Sequence, residues 1–259
     1  MAIAYKKVDG TFDLTGKTAL ITGGANGIGR ACADMLAAHG AGIVLVDILD
    51  KVHSAAAEIQ SAAKGKVKGY VCDITQFAAV QDMLDEAVGT FGGIDILCNV
   101  AGAVELADAE VLPEEYWDKL MLLNAKATFM MSQKVGNIMI KNGGGKIVNI
   151  SSQAGFIALD KHLAYTASKA AVIGMTKVLA YEWAEFNINV NSVAPTVVLT
   201  ELGEKAWQGQ AGEDMKKQIP AGRFCYPDEV AAAVYFLSSD GANMITGETL
   251  VIDGGFTIK

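Results

Sequence analysis

Proline is scarce in this 259-residue chain, with only four, and no Pro-, Ser- or charge-rich tract divides one part from another. A chain without such a linker, at this length, reads as one domain rather than two. Cysteine is equally sparse. Cys32, Cys72, Cys98 and Cys225 form no C-x-x-C pair, and each sits among apolar residues. That argues against a disulfide framework or a metal site and for free buried thiols in a reducing compartment, the cytoplasm. Long apolar runs are missing too. The longest uncharged stretch, 186–200, contains Asn187, Asn189, Asn191 and Pro195, and falls short of the ~18 apolar residues of a spanning helix. The first ten residues carry Lys6 and Lys7 but no apolar signal core. Basic charge is in deficit as well: 21 Lys+Arg against 29 Asp+Glu give a net charge of −8. Neither nucleic acid nor an anionic membrane is therefore expected as the partner.

What is present is apolar: 51% of residues, against 19% charged, which is the composition of a globular core. After a loose arm at 1–13, short continuous apolar runs recur at 18–22, 43–46, 67–72, 94–100, 146–151 and 188–193. Longer stretches with helical spacing lie between them, at 27–40, 76–91, 113–141 and 164–186. Strand runs without polar alternation are buried on both faces, and their alternation with helices predicts βαβ units. The expectation is an α/β fold over 14–259: a single-domain, Rossmann-type, doubly wound parallel sheet with helices on both faces. Only 196–220 fits neither period. It holds Gly203, Trp207, Gly209 and Gly212, and reads as a substrate lobe beside the site.

Between the first predicted strand and helix stands Thr22-Gly23-Gly24-Ala25-Asn26-Gly27-Ile28-Gly29. Glycines in that setting allow a tight turn, close approach of backbone to a pyrophosphate, and packing of helix on strand, with the helix N-terminus facing the phosphates. An ordinary glycine-rich turn is the plainer alternative. Asp47 ends the second predicted strand, 47 − 29 = 18 residues beyond the last glycine. A carboxylate there suits the ribose hydroxyls of NAD and repels the 2′-phosphate of NADP, unless it only caps the next helix. Asn26 and Ile48, where a basic residue could hold that phosphate, are uncharged.

Tyr165 and Lys169 are spaced i, i+4, on one helix face. A free phenol, with a pKa of ~10, is a poor base at neutral pH. A fixed ammonium nearby is expected to lower that value, so that Tyr165 can exchange a proton with an alcohol or carbonyl oxygen. The plainer alternative is a buried Tyr beside a solvated Lys. Ser152 ends another predicted strand, where it could orient a substrate oxygen or cap a turn.

Together these residues resemble the short-chain dehydrogenase/reductase family from about Leu14 to the C-terminus. The resemblance rests on the loop at 22–29, Asp73, Asn99-Val100-Ala101-Gly102, Asn124, Ser152, Tyr165-x-x-x-Lys169 and the closing Ile252-Asp253-Gly254-Gly255. It implies an NAD-dependent oxidoreductase that interconverts a secondary alcohol and a ketone. Asn124, Ser152, Tyr165 and Lys169 would be catalytic. Gly23, Asn26, Gly27, Ile28, Gly29, Asp47, Asp73, Ile74, Asn99, Ala101 and Gly102 would hold the cofactor, with Tyr165, Lys169, Pro195, Val198 and Thr200 at its nicotinamide end. Pairing through the long helices into a homotetramer is also implied. Two positions depart from the common pattern: Val100, where many members have a second Asn, and Thr196, where many have Gly.

The segments 152–162 and 195–203 resemble a branch acting on polyols and vicinal diols. Ser152, Gln153, His162, Tyr165 and Trp207 are the expected substrate contacts, with Trp207 read as a lid in preference to an anchor of the lobe. The alternatives are another short-chain enzyme, for a hydroxysteroid or a 3-oxoacyl group, and a dinucleotide sensor without turnover.

Overall fold

The computed structural model describes residues 12–258. Each apolar run forms a strand: β1 (Thr18–Thr22), β2 (Gly42–Asp47), β3 (Val67–Val71), β4 (Ile96–Asn99), β5 (Gly145–Ile150) and β6 (Ile188–Pro195), followed by β7 (Thr249–Ile252). The helices are α1 (Gly27–Ala38), α2 (Lys51–Gln60), α3 (Phe77–Phe91), α4 (Glu114–Leu120), α5 (Thr128–Asn142), α6 (Leu163–Trp183), α7 (Glu201–Ala206), α8 (Gly209–Gln218) and α9 (Pro227–Ser238). All seven strands are parallel, in the order β3-β2-β1-β4-β5-β6-β7. The order reverses between β1 and β4, and the crevice at the carboxyl ends there is where such a sheet takes a ligand.

Side chains alternate across the sheet, and both faces are covered. Ala19 and Ile21 of β1, with Ile43 and Leu45 of β2, pack against α1, α2 and α9. Leu20, Val44 and Val46 point the other way, toward α3, α5 and α6. The expected doubly wound α/β sheet is therefore present, and all four cysteines are buried and unpaired. Among the described residues no helix is long and apolar enough to cross a membrane. Residues 1–11 of the expected arm lie outside the described residues. Its end is held at Phe12, whose carbonyl accepts the Tyr235 hydroxyl at 2.8 Å.

Three features differ from the sequence expectation. The 196–220 stretch is helical, as α7 and α8, around a third packing cluster formed by Met215, Ile219, Phe224 and Phe256. Its glycines masked the helical spacing, yet two are sterically required. A Cβ on Gly203 would lie 2.0 Å from the Val198 carbonyl oxygen, and one on Gly212 would lie 2.1 Å from that of Trp207. The 113–141 helix is not uniform: Met121–Ala127 winds as a π-helical turn between α4 and α5, the kind of widening that marks functional segments. The seventh strand gave no apolar signal because it is a four-residue edge with Leu250 and Val251 exposed.

A buried polar chain ties the two halves of the sheet to the helices over the site. Asn99 donates to Asn149 Oδ1 at 2.8 Å and to Ser132 Oγ at 3.0 Å. Asn149 in turn donates to Thr176 Oγ1 on α6 at 3.0 Å. Replacing Asn149 with Ala strands buried partners on both sides, and is expected to cost about 2 kcal/mol in urea unfolding. A loss too small to measure would show that the link is not structural.

Candidate active site

The glycine loop is the first wall of the crevice. Gly23 and Gly27 adopt left-handed φ values of +67° and +53°, and a Cβ on Gly29 would stand 2.1 Å from the Gly23 carbonyl oxygen. No side chain caps α1, so the first-turn N–H groups are left to face the crevice. Thr22 Oγ1 accepts from the N–H groups of Val100 and Ala101 at 3.0 and 3.1 Å, which fastens the end of β4 beside the loop. Asp47 Oδ2 accepts from Ala25 N at 3.0 Å and its Oδ1 from Leu49 N at 3.1 Å. Asp47 thus braces the glycine loop; the N-cap of α2 is Asp50. A short, uncapped, glycine-lined helix N-terminus with a carboxylate at its rim fits a dinucleotide's pyrophosphate and ribose.

The other residues expected to hold the cofactor surround this cradle. Asp73 Oδ1 accepts from Thr75 N and Oγ1 in a turn after β3, where Ile74 is buried. Asn99 is buried at the end of β4 with its Oδ1 unpartnered. Gly102 lets the backbone pass Asn124 and Lys169, since a Cβ there would sit 3.0 Å from Asn124 Oδ1 and 3.5 Å from Lys169 Nζ. Pro195 closes β6, Val198 is buried in a bridge to Cys225, and Thr200 caps α7 through Gly203 N. The Thr200 methyl would touch a Cβ on Gly27 at 3.0 Å, so the lobe begins against the glycine loop, where Ile28 packs inward. Lys51 was missed by sequence reasoning: its Nζ lies 2.5 Å from Asn26 Oδ1. Spacing along the chain gives no sign of that cation.

The second wall carries the proton-transfer groups. Lys169 is buried, and its Nζ donates to the Ile150 carbonyl at 2.8 Å, while Ser151 Oγ donates to Lys169 O. Ser152 caps the following turn through Ala154 N at 3.2 Å and hydrogen-bonds the Tyr165 hydroxyl. Ser152 is thus a turn cap whose hydroxyl also meets the phenol. Asn124 accepts from Ala103 N and donates to Ala103 O and Ser168 Oγ, each at 2.9 to 3.0 Å.

The electrostatics correct one expectation. Burial raises the Tyr165 phenol above its ordinary value, with the Ser152 hydrogen bond opposing it. Burial also pulls the Lys169 ammonium down to about 8. The enclosure that brings the pair together penalises both charged forms, so proximity alone does not make the phenol acidic. An ammonium beside a phenolate offsets part of that penalty.

Of the expected substrate contacts, Gln153 is buried with its Oε1 unpartnered, next to Ser152. The His162 ring meets that of Tyr165 edge-on, with centroids 6.0 Å apart. Its Nδ1 lies 2.5 Å from the Asp160 carbonyl, which can only accept, so Nδ1 is the donor of that contact. Trp207 packs into the lobe cluster, 6.3 Å from the Phe224 ring. Among the described residues no cluster of His, Cys, Asp and Glu could hold a metal.

Glycine cradle, sheet switch point and a Ser/Tyr/Lys set at the strand ends define a dinucleotide-dependent oxidoreductase. The family model described as enoyl-(acyl carrier protein) reductase matches residues 23–257. A protein named NAD-dependent glycerol dehydrogenase from Listeria innocua is 54% identical over 257 residues, 99% of this chain and 100% of that one. D-threitol dehydrogenase from Mycolicibacterium smegmatis is 51% identical, over 97% of both chains. The crystal structure of an NAD+-bound xylitol dehydrogenase superposes with a TM-score of 0.90 at 30% identity, covering 93% of this chain and 99% of that one. Another structure of the fold holds NADP. The chain belongs to the short-chain dehydrogenase/reductase family, and is an oxidoreductase acting on alcohol groups.

Gly29→Ala forces a methyl group into the loop backbone. The variant is expected to keep its circular dichroism spectrum and to bind NADH at least tenfold more weakly by fluorescence titration. Unchanged NADH affinity would refute the cradle.

Proposed function

We propose that this protein is an NAD-dependent polyol dehydrogenase that interconverts a secondary alcohol of a polyol or vicinal diol with the corresponding ketone. The arrangement of Ser152, Tyr165 and Lys169 at one crevice carries this reading, supported by relatives named for glycerol and D-threitol. Bound NAD would accept or return the hydride at its nicotinamide. Gly23, Asn26, Gly27, Ile28 and Gly29 would hold its pyrophosphate, and Asp47 its adenine ribose. Asp73, Ile74, Asn99, Ala101 and Gly102 would line the adenine and ribose side. Pro195, Val198 and Thr200 would line the nicotinamide side.

In oxidation, Tyr165 takes the hydroxyl proton as general base; in reduction it returns it. Ser152, already hydrogen-bonded to the phenol, offers its hydroxyl to the same substrate oxygen and orients it. Lys169 stabilises the phenolate, and Ile150 O fixes the ammonium for that role. Asn124 anchors the backbone at Ala103 and would hold a relay water toward Lys169. Gln153 and His162 Nε2 would take further hydroxyls, with Trp207 in the wall of the lobe.

The assembly proposed is a cytoplasmic homotetramer. An apolar groove of about 540 Å³ runs along the helices, lined by Met121, Leu122, Ala125, Phe129 and Met175. Val178 and Tyr181 of α6 are exposed, and a separate apolar edge is formed by Met244, Leu250 and Val251. Two separate apolar patches on one chain would supply the two kinds of two-fold contact that a closed tetramer needs. Light scattering is expected to give four times the chain mass; a monomer would remove this assignment.

The deciding experiment follows NADH formation across tetritols, pentitols, hexitols, 1,2-diols and a hydroxysteroid, repeated with NADP+. A polyol is expected to turn over with NAD+ and poorly with NADP+. Tyr165→Phe should lose about 10²–10⁴-fold in kcat while still binding NADH. Turnover of the steroid alone would overturn the substrate assignment. No turnover at all, with NADH still bound, would point to a sensor.

A further inference from the structure

Five buried side-chain atoms among the described residues lack a hydrogen-bond partner: Tyr70 Oη, Asn99 Oδ1, Gln153 Oε1, Thr196 Oγ1 and Ser238 Oγ. Their distribution is not even. Asn99 closes β4, Gln153 lies just past β5, and Thr196 lies just past β6. These are three neighbouring strands, and all three positions are at the carboxyl edge that holds the site. Asn99 belongs to the cofactor side described above. Gln153 and Thr196 remain, at the ends of the neighbouring strands β5 and β6.

Their placement follows from the strands. Along β6, Ile188 and Val190 face the α6 side of the sheet, whereas Val193 faces the opposite side. Period-two alternation puts Thr196 on the α6 side with them. The turn at Gln153–Gly155 packs against both α6 and β6. A Cβ on Gly155 would touch Ile173 of α6 at 2.7 Å and the Lys169 backbone at 3.2 Å, so this turn sits directly on the catalytic helix. Thr196 N donates to Ile252 O at 3.0 Å, which continues the ladder and holds the residue in place. Gln153 and Thr196 are 3% and 8% exposed. Polar groups that deep in a protein are ordinarily paired, and unpaired ones mark a task.

Resting on the polyol reading, we propose that Thr196 is a specificity-determining residue. With the Gln153 amide it forms a subsite for the second hydroxyl of a vicinal diol, beside the Ser152–Tyr165 pair that takes the reacting oxygen. Gln153 Oε1 accepts that hydroxyl's proton, and Thr196 Oγ1, which both donates and accepts, completes its hydrogen bonding. A mono-alcohol leaves both atoms unpaired, so the subsite discriminates by the loss it inflicts on a substrate lacking the hydroxyl. Thr196 stands where many family members have glycine, so the backbone there does not require a threonine. Its hydroxyl contributes nothing to the fold through a hydrogen bond.

The test compares 2,3-butanediol with 2-butanol, which differ by one adjacent hydroxyl, in wild type, Thr196→Val and Thr196→Ser. Wild type is expected to prefer the diol at least tenfold in kcat/KM. Thr196→Val should lose about tenfold on the diol and stay within twofold of wild type on 2-butanol. Thr196→Ser should recover the diol rate. The Tm of Thr196→Val should be no lower than wild type, because it replaces an unpaired hydroxyl by a methyl group of the same shape; a purely structural threonine would lower it. Equal loss on both alcohols, no loss on either, or failure of Thr196→Ser to recover the diol rate would overturn the subsite while leaving the polyol reading intact. Wild type that oxidises 2-butanol but no diol or polyol would overturn both.

Discussion

The site depends on a buried chain of hydrogen bonds that begins in the sheet and ends at the catalytic helix. Asn149 on β5 holds Asn99 on β4, and Asn99 reaches Ser132 on α5. Ser132 and Thr128 bond back along their own helix to Thr128 O and Asn124 O, which leads to the π-helical turn. Asn124 then bonds Ser168, and Ser168 Oγ donates to the Tyr165 carbonyl at 2.7 Å. Buried hydrogen bonds of this kind are expensive to leave half-made, which makes the arrangement nearly all-or-none. Strand pairing, helix position and the backbone that carries Tyr165 are therefore tied by one network.

Within that rigid frame, burial acts on both members of the ionisable pair. Lys169 lies among buried groups with a single carbonyl acceptor, and its ammonium is pulled down to about 8. The phenol is pushed upward by the same enclosure. Both shifts favour the neutral forms, the phenol moving up and the ammonium down, so burial by itself disfavours the charged pair. The Ser152 hydrogen bond opposes the phenol's upward shift without reversing it. General acid–base chemistry near neutral pH therefore draws on the attraction between phenolate and ammonium at close quarters, which works against the penalty that burial imposes.

Much of this was legible in the sequence. The strands without polar alternation announced a sheet covered on both faces, and the glycine loop, Asp47 and the Tyr165/Lys169 spacing located both walls of the crevice. What escaped had physical reasons. Lys51 reaches Asn26 across 25 positions of chain, and the edge strand β7 lacks a buried run. Residues 196–220 form helices whose glycines are required by contacts with Val198 and Trp207, so composition there signalled a loop where packing makes a helix. The direction of the phenol's shift was missed because spacing conveys proximity and says nothing of desolvation.

Stability and function part company at one edge of the molecule. Of the five buried side-chain atoms without a partner among the described residues, three lie at the ends of β4, β5 and β6, where Asn99, Gln153 and Thr196 each keep an oxygen unpaired. Each such atom costs free energy in the folded chain on its own, and that cost is tolerated only where the surrounding network is already secure. The Asn149 and Asn124 links supply that security directly beneath the same strand ends. A sheet that closed its polar accounts everywhere would be more stable but would present nothing to a hydroxyl-rich ligand. At the catalytic edge the fold leaves Asn99, Gln153 and Thr196 each an oxygen that it does not itself pair.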